Sequence, residues 1–173
     1  MSSPLPILRR LVVIGGIGLW AVASSSAQAA ADLVINNASL SNVAGNGQGT
    51  PFNPSGTSPV LPWNSILTSL GNGPTTVRTD SGFNDGQNGD IKILTSPIGY
   101  NSANLLTFVS AATGGIFINA NISNSGAGGI TFVSGTPGIS LGADITTAAG
   151  VVHYWWLVKA DVLQPQLDRK SVV

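Results

Sequence analysis

The chain has no cysteine and no glutamate, and it carries a single histidine and a single methionine. Without cysteine it can build neither a disulfide framework nor a thiolate metal site. With His153 as the only histidine, sites that need several imidazoles are excluded. Charge is equally scarce, at 8% of residues against roughly 25% in an ordinary globular domain. Seven basic and seven acidic side chains cancel, so no strong field recruits nucleic acid or anionic lipid. All seven acids are aspartates. Helical proteins place Glu and Lys on their wet faces, where straight side chains lose little freedom. This chain covers its surface with Asn, Ser, Thr and Gly instead, the composition of strands and turns. Its 173 residues suffice for one domain.

Residues 1–30 read as a cleaved signal peptide. Arg9 and Arg10 precede an unbroken apolar run, Leu11–Ala23, of thirteen residues, within the roughly 7–15 of a signal core. Ala27-Gln28-Ala29 supplies the small-x-small cleavage site. A membrane span needs about 20 apolar residues, and this run is shorter. Removal leaves five basic residues against seven aspartates, a net charge of −2. Export is the expected destination, to the cell surface or beyond it in association with the outer membrane.

Residues 31–62 read as one strand around Leu33-Val34-Ile35 followed by a Gly/Asn/Pro-rich loop. Trp63–Leu70 has Ile66, Leu67 and Leu70 at helical spacing, and predicts a short helix capped by Gly71. Residues 63–150 otherwise carry short alternating runs between glycine-rich turns: Thr75–Thr79, Asp90–Leu94, Leu105–Ser110, Ile116–Ser123, Ile130–Ser134 and Ile139–Thr146. The runs repeat. Gly115–Ser123 superposes on Gly138–Thr146 at an offset of 23, and Leu106–Ser110 on Ile130–Ser134 at an offset of 24. Residues of one parity share one face of a strand. Ile116, Ile118, Ala120 and Ile122 are therefore expected inward, stacked on Ile139, Leu141, Ala143 and Ile145, with Phe108 and Phe132 equivalent one coil apart. A period of 20–30 residues with strand alternation predicts an all-β solenoid of about three coils, in which each turn buries its face only on the next.

In series, WNSILTSLGNGPTTVRTDSG, GDIKI, GGIFINANISNSGAGGITFVSG and GISLGADITTAAG, from Trp63 to Gly150, resemble the repeats of filamentous-haemagglutinin-like bacterial adhesins. The resemblance covers about half the chain. It implies a right-handed parallel β-helix, exported and displayed on or shed from the cell. Implied partners are an outer-membrane secretion component and glycans or proteins on host or neighbouring cells. The Asn-Pro-Asn motif of that family's secretion domain is replaced here by Asn53-Pro54-Ser55.

Other motifs point to chemistry less directly. Gly138-Ile139-Ser140-Leu141-Gly142 fits a nucleophile elbow by letter. An elbow, however, sits on a strand-to-helix turn, whereas Ser140 lies inside a repeated strand. Residues 80–90 gather three carboxylates and two Asn amides, so Asp80, Asn84, Asp85 and Asp90 are candidate ligands of a calcium turn. Such Asn/Asp/Gly segments also serve simply as solvated turns. Gly45–Gly49 lacks the flanking strand and helix of a phosphate loop. No cofactor other than that calcium is expected.

Residues 151–173 form an atypical tail that breaks the repeat at Gly150. Val151–Val158 concentrates two of the four tryptophans. The tail reads either as a cap on the open end or as non-native sequence, since Asp168–Val173 is the translation of the start of a common sequencing adapter. On the second reading the chain is a truncated N-terminal part of a longer protein. The expectation is thus the truncated N-terminal part of an exported adhesin-like surface protein, with a structural or binding role and no enzymatic activity. The alternative is a carbohydrate-active β-helix enzyme of the polysaccharide-lyase kind. Against it, Lys92 and Asp144 are the only charged residues from Ile91 to Gly150.

Overall fold

The structure, a computed structural model, describes residues 30–158 and 162–166. The signal-peptide reading and the adapter-like residues Asp168–Val173 therefore lie outside the described residues, apart from Ala30. In chain order the elements are β1 (Leu33–Asn36), β2 (Val43–Ala44), β3 (Asn53–Pro54), β4 (Val60–Pro62) and α1 (Trp63–Asn72). There follow β5 (Thr75–Arg78), β6 (Ile91–Ile93), β7 (Leu106–Val109), β8 (Ile116–Ile118) and β9 (Ile122–Asn124). The last five are β10 (Ile130–Ser134), β11 (Ile139–Leu141), β12 (Ile145–Thr147), β13 (Val152–Val158) and β14 (Val162–Gln166).

The strands stack as a parallel β-solenoid of about five turns. One wall runs β11-β8-β6-β1-β4 and a second runs β14-β13-β10-β7-β5, with β12-β9 as a short third. Apolar residues recur every second position, so each strand turns one row inward. Register then aligns those rows into columns. Leu61, Ile35, Ile93, Ile118 and Leu141 form one column through the first wall. Val77, Phe108, Phe132 and Tyr154 form another through the second. The rings of Phe108 and Phe132 stack at 5.3 Å with 9° between planes, and Phe132 and Tyr154 at 5.6 Å and 12°. The Ile, Leu and Phe residues at the centre are fully buried, each contributing about 1.5–3 kcal/mol through burial.

Several expectations are corrected. Residues 31–62 do more than make one strand and a loop. The chain runs through β1, passes out to the antiparallel pair β2–β3, and returns as β4, which pairs in parallel on the outer side of β1. A later strand thus covers an earlier one, giving the solenoid a first layer out of sequence order. Helix α1 extends to Asn72, and its C-cap is Gly73, whose N–H donates to the Ser69 carbonyl at 3.2 Å. No side chain caps its start; buried Trp63, Ile66 and Leu70 hold it instead. The expected single strand Ile116–Ser123 is two, β8 and β9, with a corner at 119–121. There the Asn119 N–H donates to the Ile93 carbonyl of the previous turn, and Ala120 is only half-buried.

The last turn differs too. Leu141 is in register with Ile118 but 54% exposed, because no further strand of the first wall covers it among the described residues. Ala143 and Ile145 are half-buried for the same reason. Nor does pairing stop at Gly150. Strand β13 continues the second wall in parallel, Ile130 to Val152 through Ser134 to Trp156, and β14 follows it antiparallel.

Candidate functional site

Most buried polar groups are committed to the scaffold, the hydroxyls of Thr95 and Tyr100 being the buried side-chain groups without a partner among the described residues. At one corner Thr79, Ser110 and Ser134 form a hydroxyl ladder, all nearly inaccessible. Each donates to a glycine carbonyl of its own turn, at Gly89, Gly114 and Gly138. Thr79 and Ser110 also accept from the backbone N–H of the next turn, at Ala111 and Gly135, both at 3.0 Å. Asn124, 1% exposed, is fully used. Its oxygen accepts from the N–H of Ser102 and Gly126, both at 2.9 Å, and its amide donates to the carbonyls of Ser102 and Gly128 at 2.9 and 2.8 Å. Neither feature was singled out from sequence, although Ser110 and Ser134 already superposed in the repeat.

Of the four candidate calcium ligands, Asp80 and Asn84 line one small pocket of about 20 Å³, and Asp85 and Asp90 are not among its lining residues. Asp80 is bound by the Arg78 guanidinium through both carboxylate oxygens. Asn84 and Asp85 accept from Gly86 and Gln87 within their own turns. Asp90 is buried at the next corner, where it accepts from the Gly115 N–H at 2.9 Å. Among the described residues no group of three or more acidic or histidine side chains lies close enough to hold a metal.

Ser140 stands on the outward face of β11, in register with Phe117, and is exposed. His153 is exposed on a different wall, in β13 opposite Thr131. Lys92 pairs with Asp32 at 2.6 Å and with Asp90 at 3.5 Å. The Asp32 hydrogen bond holds its ammonium charged to higher pH than usual, with the two carboxylate charges adding to the effect.

One cavity stands apart from this scaffold, an open cleft of about 430 Å³ between α1 and the preceding loop. Asn64, Ser65, Thr68 and Asn72 form its helical wall. They share a face because they recur at helical spacing opposite buried Ile66 and Leu70. Asn46 and Gln48 form the facing wall, and Phe52 and Ser69 the floor. The loop wall is fixed. The Asn46 side-chain oxygen accepts from the N–H of Gln48 at 3.1 Å and of Thr50 at 3.3 Å. Gln48 donates to the Ser69 carbonyl at 2.9 Å, and Thr76 donates its N–H to the Gly47 carbonyl at 2.6 Å. Gly47 has φ +84°, and a Cβ there would come within 2.5–2.8 Å of Phe52, Ser69 and Thr75, so only glycine fits. The side chains of Asn64, Ser65 and Thr68 make no hydrogen bond among the described residues. The cleft was not expected from sequence, since its walls lie apart in the chain and their pairing depends on the loop's docking.

Comparison with protein families, with curated proteins and with solved structures yields no match to this chain.

Proposed function

We propose that the chain is an exported, adhesin-like surface protein whose role is structural and binding. The supporting observation is the solenoid's outer surface, which presents neutral hydroxyl groups in register on its second and third walls. Thr76, Thr107 and Thr131 align down the second wall, and Thr146 donates to Ser123 at 3.0 Å on the third. A solenoid offers long lateral faces suited to contact rather than to turnover. The resemblance of the repeats to filamentous-haemagglutinin-like adhesins and the export signal point the same way. On this reading the partners are surface glycans or proteins of other cells, reached through an outer-membrane secretion component.

The test is adherence. Beads coated with the purified full chain should bind host or bacterial cells above beads coated with a heat-unfolded control. Turnover of pectin or alginate by the same preparation would favour the polysaccharide-lyase reading and overturn this one.

A further inference from the structure

We propose that the cleft between α1 and the 46–52 loop is a binding subsite for a neutral sugar residue. The proposal rests on the surface-binding reading and adds a location and a ligand class to it.

The lining selects the ligand by chemistry. Asn46, Gln48, Asn64 and Asn72 bring carboxamides, each both donor and acceptor, and Ser65 and Thr68 bring hydroxyls of the same dual kind. A sugar hydroxyl also donates and accepts, so it matches such a wall at any point of its ring. Among the described residues no charged side chain lines the cleft, so an anion finds no counter-cation there and a metal ion no carboxylate. An apolar ligand would leave the Asn64 amide and the Ser65 and Thr68 hydroxyls unsatisfied, at about 1–3 kcal/mol for each group buried without a partner. The volume of about 430 Å³ falls within the roughly 300–1,000 Å³ of small-molecule sites.

The cleft is also built before any ligand arrives. Gln48 and the Gly47 carbonyl tie the loop to α1 and β5, and Gly47 allows the close approach that no other residue permits. Binding therefore has little loop ordering to oppose it. Meanwhile Asn64, Ser65 and Thr68 have their side-chain hydrogen-bonding capacity free among the described residues.

The experiment is a printed array of neutral and acidic glycans probed with the full chain, followed by titration of the best neutral saccharide against labelled protein. Neutral glycans should be retained, and the side-chain amide signals of Asn64 and Asn72 should move on titration. The double variant Asn64→Ala, Thr68→Ala should bind about tenfold more weakly, the loss expected from two neutral hydrogen bonds. Both residues are exposed, so its melting temperature should be unchanged, and Asn64→Gln should recover part of the binding. Retention of acidic glycans alone, no retention at all, or undiminished binding by the double variant would overturn the subsite. Failure of the coated beads to adhere sinks the adhesin reading instead. Beads carrying the double variant that adhere and titrate like the wild type leave that reading standing and remove the subsite.

Discussion

Asn124 shows how much a single interior polar residue can carry in a fold with few charges. All four hydrogen bonds that a carboxamide can make are made, and they join the segment around Ser102 to the turn around Gly128. Asn124→Ala leaves the buried Ser102 N–H, the half-buried Gly126 N–H and the Gly128 carbonyl without that partner, while the Ser102 carbonyl keeps the Gly128 N–H at 2.8 Å. It should lower folding stability by about 3 kcal/mol or more in a denaturant melt, given about 1–3 kcal/mol per unsatisfied group. Tyr100 is the opposite case. Its ring is 3% exposed and its hydroxyl has no hydrogen-bond partner among the described residues. Burial pushes its pKa up to about 12 from the usual 10.0. Because the folded value is the higher one, Tyr100's contribution to stability is whole below pH 10 and falls as pH rises from there towards 12. Tyr100→Phe should be neutral or stabilising by about 1 kcal/mol at pH 7. It should also remove part of the alkaline loss seen in melts across pH 10–12; an unchanged alkaline profile would mean that Tyr100 ionises without opening the fold.

Among the elements, β8 is an inner strand of the first wall, between β6 and the edge strand β11. Ile118 is fully buried there, between Ile93 and Leu141 in its column. Ile118→Asp places a charge with no partner in that stack and should abolish the cooperative melt; Ser140→Asp, on the exposed face of β11, should not. A folded Ile118→Asp chain would mean that the inward row has been misassigned. The alternation of IFI and ISL was legible because parity is a local property of a strand. The corner that separates β8 from β9 was not. Parity persists across 119–121, and only the bond from Asn119 to the Ile93 carbonyl of the previous turn marks the bend. Helix α1 was legible from the spacing of Ile66 and Leu70 around a buried stripe. Its last two residues were not, since Gly71 offers no Cβ contact to decide the end and the chain closes at Gly73.

For the molecule as a whole, stability in a stack of turns is a sum of neighbour terms, largest where a turn has neighbours on both sides. The central strands β6 and β8 have them. Strand β11 has one among the described residues, and its Leu141 is exposed. Amide hydrogen exchange should therefore be slowest across β6, β8, β7 and β10 and fastest among the strands at β11 and β12, as local opening begins where fewest contacts must break. Uniform protection would mean that the last turn is covered in solution. The first layer is better closed: β4 lies outside β1, and α1 seats Trp63 edge-on against Phe108 at 6.4 Å and 84°.

The sequence by itself determined the class of the fold, the inward row of the repeated strands and the register of the repeated turns. Those follow from alternation and from an offset near 23–25 residues, which are local or nearest-neighbour properties. Tertiary structure alone decided that β4 returns to cover β1, that Leu141 faces solvent, and that Asn124 and the Thr79–Ser110–Ser134 ladder lock the corners. It alone brought Asn46 and Gln48 opposite Asn64 and Thr68. Each depends on which distant segment arrives beside a residue, and a polar residue has no periodic pattern that names its partner.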